Sequence, residues 1–288
     1  MTWVTFLLIF LAIRRAEAVR GGTPVSSPKK AYPWMISFQT ERPDGSYMHQ
    51  CGGTLLRSKY LFSQPKLLEP SDQSRFVLTA AHCARPVKDF EFKLIFTNGQ
   101  EMILDGSTIE IHPDYNILTQ EDDIAIISIP PEYVNKVKTI RPAIIPASES
   151  LNNPPAYHDA VEIGYGSPTL SINPSYPTLN KLELPIAPAQ VCELQSHKSY
   201  GTPYLDKQSR LCVQGDADHG MGIGDSGSAL VVAAKVSSPT VVGVASSSFP
   251  KPTDNTLISG IAVYTRVSSY VGWIQSVVNP YELKSCPN

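Results

Sequence analysis

Between Gly222 and Ser228 the chain reads Gly-Ile-Gly-Asp-Ser-Gly-Ser, a serine set among three glycines with an aspartate directly before it. Glycine lets the backbone take conformations that a side chain forbids. It also leaves N–H groups bare for a ligand to approach. Such a stretch suits a turn between two strands. A serine hydroxyl is a weak nucleophile until a base takes its proton. If Ser226 reacts, the N–H groups of Gly224 and Ser226 can receive the oxyanion formed in acyl transfer. Read structurally, the same residues are a glycine-rich turn capped by Asp225.

Two further stretches bear on that choice. Upstream lies Thr79-Ala80-Ala81-His82-Cys83, and then Asp122-Asp123-Ile124-Ala125-Ile126-Ile127, an acid just before an apolar run. The order His, Asp, Ser is one of the known chain orders of a nucleophile–base–acid set. Cys51-Gly52-Gly53-Thr54-Leu55, Gly164-Tyr165-Gly166 and Val263-Tyr264-Thr265-Arg266-Val267 accompany them. With these motifs in this order the chain resembles the trypsin- and chymotrypsin-like serine proteases, from Val19 to about Val278.

The resemblance implies an all-β fold: two packed antiparallel six-stranded β-barrels and a C-terminal α-helix. Residues 19–135 would form mainly the first barrel, 136–267 mainly the second, 268–279 the helix and 281–288 a tail. His82 and Asp123 would come from the first barrel and Ser226 from the second. His82 would take the Ser226 proton and Asp123 would fix the imidazole. Asp122 has a competing claim, and Asp123 is preferred because it stands immediately before Ile-Ala. His49, His112, His158 and His197 have no partner motif and read as surface or structural residues. The resemblance implies disulfides Cys51–Cys83 and Cys192–Cys212, each stabilising by about 3–4 kcal/mol through the unfolded chain. Cys286 is left over, either free or paired with another chain.

The 288 residues suffice for one large domain or two small ones, and 25 prolines with 18 glycines suit many strands and turns. A net charge of −2 without a basic run argues against nucleic acid as a partner. Trp3 to Ile13 is too short an apolar run to span a bilayer as a helix. With Ala16-Glu17-Ala18 after it, residues 1–18 read as a signal peptide, although the basic pair Arg14-Arg15 follows the apolar core instead of preceding it. The alternative is a buried or interfacial helix. Cleavage after Ala18 would expose Val19-Arg20-Gly21-Gly22, similar to the mature start of the family, whose α-ammonium would pair with Asp225. No activation peptide separates Ala18 from Val19, so signal peptidase itself would release the active form.

Residues 61–76 interrupt the link between the Cys51 strand and the His82 motif. They are either a genuine surface loop, cheap in entropy as loops lengthen, or non-coding sequence carried into the reading frame. Ser268 to Val278 places Val271, Ile274 and Val278 at helical spacing, with Ser268 or Ser269 as N-cap.

In trypsin-like members an aspartate stands six residues before the reactive serine; here Gly220 does, so tryptic specificity is not expected unless Asp218 reaches in. Gly222 stands where a brace cysteine would be, which suggests a looser loop. Ser247 replaces a tryptophan and Ser228 a glycine. A pocket of Gly220, Ser246, Ser248 and Ala262 reads as neutral, favouring large apolar or aromatic side chains, with His219 a weaker argument for acidic ones. The resulting expectation is a secreted, monomeric serine endopeptidase acting on proteins or peptides, checked by protein inhibitors, with no metal, cofactor or membrane anchor. The rival reading is a non-catalytic homologue that binds partners.

Overall fold

A computed structural model describes residues 19, 21–56, 75–146, 154–167, 178–200, 208–215, 219–232, 240–248 and 261–278. The leader, Arg20, most of the 61–76 insertion, Asp218 and the tail with Cys286 lie outside the described residues. Fourteen strands form two antiparallel sheets. The first holds β2 (Met35–Glu41), β3 (Tyr47–Leu56), β4 (Phe76–Thr79), β5 (Glu91–Phe96), β6 (Glu101–Asp105), β7 (Ile109–Ile111) and β8 (Ala125–Ser128), in the order β6-β5-β2-β3-β4-β8-β7. The second holds β1 (Thr23–Pro24), β9 (Asp159–Gly164), β10 (Asn180–Pro185), β11 (Arg210–Gln214), β12 (Ala229–Val232), β13 (Thr240–Ser248) and β14 (Ile261–Arg266), in the order β1-β10-β9-β12-β13-β14-β11.

Each sheet thus has seven strands where six were expected, and the N-terminal segment does not sit with the first half. β1 crosses to the second sheet and pairs Pro24 with Asn180. The all-β, two-sheet architecture is as read from the sequence. Strand burial follows its physical cause. β6 alternates, with Met102 and Leu104 inside and Glu101, Ile103 and Asp105 outside, the period-two signature of a strand with one wet face. β4 and β12 are buried at every position because the sheets curl and pack on each other.

The core of the first sheet gathers Trp34, Phe38, Leu55 and Phe92, with the Phe38 and Phe92 rings 5.0 Å apart. Each such side chain stabilises the fold by about 1.5–3 kcal/mol. The hairpin between β2 and β3 turns at Gly45, whose φ of 78° suits glycine, and Asp44 accepts from the Ser46 N–H.

Two helices differ from the sequence reading. The C-terminal helix spans Val271–Val278 and buries Val271, Ile274 and Val278 as the spacing requires. A 3₁₀ turn over Val267–Tyr270 precedes it, and Ser269 Oγ bonds the Gln208 carbonyl, so the turn rather than a Ser269 cap starts the helix. A second helix, Ala189–Tyr200, was not legible. Leu194 is 57% exposed, so its apolar residues do not form one 3.6-residue stripe.

Both expected disulfides are present. Cys51 on β3 joins Cys83, and Cys192 on the Ala189–Tyr200 helix joins Cys212 on β11. Replacing Cys51 and Cys83 together by alanine should lower unfolding free energy by about 2–5 kcal/mol. Denaturant titration of the double variant checks this, and an unchanged midpoint would contradict it.

Candidate active site

β4 ends at Thr79, whose hydroxyl donates to the Gly52 carbonyl at 2.8 Å. Ala80 is extended, and the chain then makes a single helical turn over Ala81–Ala84. His82 rides on that turn, which the Cys51–Cys83 disulfide pins to β3. On the other side Asp122 takes a φ of 54° and turns the chain into β8. This puts the two neighbouring acids on opposite sides of the backbone. Asp122 accepts from the Tyr270 hydroxyl at 2.7 Å, while Asp123 is fully buried and faces His82.

The Asp123 carboxylate receives three donors. His82 Nδ1–H reaches Oδ2 at 2.7 Å, the His82 backbone N–H reaches Oδ1 at 2.9 Å, and Ser246 Oγ donates to Oδ2 at 2.6 Å. Thr265 Oγ1 donates to the Asp123 carbonyl at 2.8 Å. Burial by itself pushes this carboxyl's pKa up, but the bonds and charge of His82, then the Ser246 bond, outweigh it and hold the group below the ordinary value. Asp123 is thus an anion fixed on Nδ1, which leaves Nε2 of His82 turned elsewhere. Nε2 lies 3.5 Å from Cys83 Sγ and opens on the same cavity as Ser226.

The Ser226 turn is gripped from both sheets. Gly52 N–H of the first sheet donates to the Ser226 carbonyl, and Gly227 N–H donates to Ala245 of the second, each at 2.7 Å. Gly224 and Gly227 have φ of 91° and 77°, which only glycine adopts without strain. The Gly224 carbonyl accepts from Nε2 of the buried His49 at 2.9 Å. Since a carbonyl only accepts, Nε2 carries the proton, and Nδ1 then accepts from Ser37 Oγ at 2.8 Å. Burial lowers the His49 pKa to about 4, so this ring is a neutral brace for the turn. Nothing in the sequence signals that role beyond the proximity of His49 to Cys51.

Asp225 is also fully buried, and its carboxylate accepts from Gly166 N–H at 2.7 Å and Gly222 N–H at 2.8 Å. A Cβ on Gly164 would overlap Asp225 Oδ1, and one on Gly166 would crowd the same carboxylate, so Gly164-Tyr165-Gly166 is glycine on both sides to admit it. The loop without its brace cysteine is held instead by two backbone bonds between Ser167 and Ile223, at 2.6 and 2.9 Å. Ser228 packs against the Gly52 α-carbon at the join of the sheets and is buried there.

A cavity of about 830 Å³ runs along the cleft. His82, Ser226, Met221, Ser246, Ser247 and Ser248 line it, together with Thr40, Glu41, Arg42 and Phe90. Of the four residues expected in the side-chain pocket, Ser246 and Ser248 line it, and Gly220 and Ala262 do not. Met221, which the sequence does not single out, also lines the cavity. Among the described residues the groups close enough to hold an ion are Cys51, His82 and Cys83; the two sulfurs are joined in a disulfide, so they are not thiolate ligands. No helix among the described residues is long and apolar enough to cross a membrane.

Two curled antiparallel sheets, with a histidine–carboxylate pair and a glycine-walled serine in the cleft between them, define the chymotrypsin-like class of folds. The family model described as Trypsin matches residues 71–274, and the chain belongs to that family. It is 28% identical over 287 residues to tryptase of Mus musculus, covering 91% of this chain and 89% of the relative. It is 29% identical over 281 residues to trypsin-4 of Rattus norvegicus, covering 94% of each. Among solved structures, a scabies mite inactivated protease paralogue, S-D1, superposes with a TM-score of 0.65 at 22% identity, covering 91% of this chain and 98% of that one.

The raised pKa of Asp225 carries a pH signature. Burial lifts it from 3.8 to about 7, against the lowering effect of the Gly222 and Gly166 bonds. The folded state therefore holds a proton that the unfolded chain releases. Asp225 contributes stability that is full below about pH 4 and is lost as pH rises through about 7. In a chain whose residue 19 bears no free ammonium, the unfolding free energy of the wild type relative to Asp225→Asn should decline across that window. A flat difference in denaturant titrations at several pH values would contradict this.

Proposed function

We propose that the chain is a secreted serine endopeptidase with Ser226 as nucleophile, His82 as general base and then acid, and Asp123 as the residue that fixes His82. One observation carries the reading: Nδ1 of His82 is locked on a buried carboxylate while the ring and Ser226 line one cleft. The Ser226 hydroxyl would attack the scissile carbonyl carbon as its proton passes to His82 Nε2. The oxyanion would be received by the N–H groups of Gly224 and Ser226, neither of which donates to a backbone carbonyl among the described residues. The imidazolium would then protonate the leaving amine as the peptide C–N bond breaks. Water would free the acyl group by the same route, restoring Ser226. The contact of Nε2 with Cys83 Sγ gives way on this reading, since catalytic bonds commonly tighten only with substrate bound.

Removal of residues 1–18 would give Val19 an α-ammonium whose partner is Asp225. Two features support it. Val19 is fully buried, and β1 joins the chain just after it to β10 at Asn180, the residue paired with Gly164 beside Asp225. A cation there would relieve the cost of the buried charge. The second reading, a non-catalytic secreted binding protein, draws support from the inactivated paralogues among the similar folds.

Labelling of the secreted protein by a fluorophosphonate probe decides between them. Ser226→Ala and His82→Ala should each abolish labelling, and Asp123→Asn should lower the rate by about 10⁴-fold. Sequencing the N-terminus should give Val19. Absence of labelling in a folded sample that begins at Val19 would overturn the enzyme reading.

A further inference from the structure

The sulfurs beside His82 offer chemistry that the mechanism above does not use. Cys51, His82 and Cys83 each present one ligand atom, and the three atoms lie within 4.8 Å of one another. All three residues line the cleft of Ser226. Joined in a disulfide, Cys51 and Cys83 are not ligands. Reduced, they are two thiols beside an imidazole, the Cys₂His set found in catalytic zinc sites, which leaves a fourth position open.

The distances fit that use. Zn–S bonds of about 2.3 Å and Zn–N bonds of about 2.0 Å at tetrahedral angles set nitrogen and sulfur about 3.5 Å apart. Nε2 of His82 stands 3.5 Å from Cys83 Sγ. The Cys51 and Cys83 α-carbons are 6.2 Å apart, so a change of side-chain rotamer parts the two sulfurs with the backbone in place. The support behind the histidine is already built. A zinc-bound histidine almost always gives its other N–H to a carboxylate, a carbonyl or water, and His82 Nδ1–H donates to the buried Asp123 at 2.7 Å. That bond leaves Nε2 with a free lone pair. The cleft supplies the entry path that such a site needs.

Other contacts hold these residues together without the disulfide. Gly52, next to Cys51, donates to the Ser226 carbonyl and accepts from Thr79 Oγ1. β3 pairs with β4 from Thr54 to Leu56. Asp123 holds His82 through both its ring and its backbone.

From this arrangement we infer that the reduced chain carries a zinc site made of Cys51, His82 and Cys83, and that the ion takes the Nε2 lone pair that catalysis needs. A dithiol makes the reduced form by thiol–disulfide exchange. Its two S–H groups become its own disulfide, and two electrons with two protons pass to the Cys51 and Cys83 sulfurs. Zn²⁺ then displaces those two protons. Exchange with an oxidised disulfide closes Cys51–Cys83 again, expels the ion and frees His82. The metal site stands on its own geometry; only the loss of activity rests on reading His82 as the base.

The test separates this inference from the catalytic one. Full-length chain carrying Ser226→Ala is reduced with dithiothreitol, freed of it without air, and titrated with Co²⁺ and then Zn²⁺. Co²⁺ should give the sulfur charge-transfer and tetrahedral d–d absorption of a thiolate site, and Zn²⁺ should erase both. The oxidised chain should show neither. Cys51→Ser, Cys83→Ser and His82→Ala should each abolish the bands, and Asp123→Asn should weaken Zn²⁺ binding by about 10–100-fold. If reduction costs the chain its native circular dichroism, Zn²⁺ should restore it, because binding energy becomes folding energy. In the reduced Ser226 chain, Zn²⁺ should stop fluorophosphonate labelling, and labelling that continues would mean that Nε2 is not taken. A reduced chain that takes up no Co²⁺ and is not refolded by Zn²⁺, equal uptake by the oxidised chain, or bands that survive Cys51→Ser or His82→Ala overturns the inference even if fluorophosphonate labels Ser226 of the oxidised enzyme. Bands that need all three residues, in a protein whose oxidised form is never labelled, would sink the catalytic reading and leave the metal site standing.

Discussion

The buried Asp123 carboxylate is the interaction on which the rest of the site depends. An anion taken fully out of water destabilises the fold unless donors surround it. Here the donors come from both sheets: His82 through its ring and backbone from the first, Ser246 from the second, with Thr265 of the second holding the Asp123 carbonyl. The sheets therefore cannot slide or rotate on each other without stranding a charge. The same bonds that fix the imidazole also fix the relation of the two halves.

The Ser226 turn obeys a related constraint. Its carbonyl is held by Gly52 of one sheet and the next N–H by Ala245 of the other. Behind it Asp225 fills the space left by Gly164 and Gly166, while neutral His49 holds the Gly224 carbonyl. These contacts are made by backbone and by the absence of side chains. The loop without its brace cysteine is likewise held by backbone, through the paired bonds of Ser167 and Ile223.

The pocket behaves differently. Its wall of Ser246, Ser247 and Ser248 lies on β13, a rigid strand. Met221 also lines it, and Glu162 and Tyr264 are fully buried in the same half of the molecule. The two buried acids of this half are neighbours whose burial raises both, so the interior of the second sheet favours any arrangement that brings in positive charge. Among the described residues the first half holds one buried carboxylate, Asp123, well supplied with donors, and the second holds two, Glu162 and Asp225, with fewer.

Much was legible in the chain before folding. The spacing of the glycines around Ser226, the apolar run after Asp123 and the C-terminal helical stripe are local patterns, and local sterics and periodicity fixed what they could become, whereas the pairing of the cysteines was implied only by the family resemblance. The choice between Asp122 and Asp123 leaned on a resemblance, and only the left-handed turn at Asp122 shows how the two part. Other features could not be read at all. Ser37 and His49 bracing Gly224, Thr265 reaching Asp123, β1 crossing to the far sheet, and Glu162 buried on β9 opposite Leu230 each join residues distant in sequence. The sequence by itself determined the strands, the turns and the chemistry at hand. The tertiary structure alone decided which of those groups lost their water and had to find partners, because burial depends on the packing of the two sheets and on no single stretch of chain.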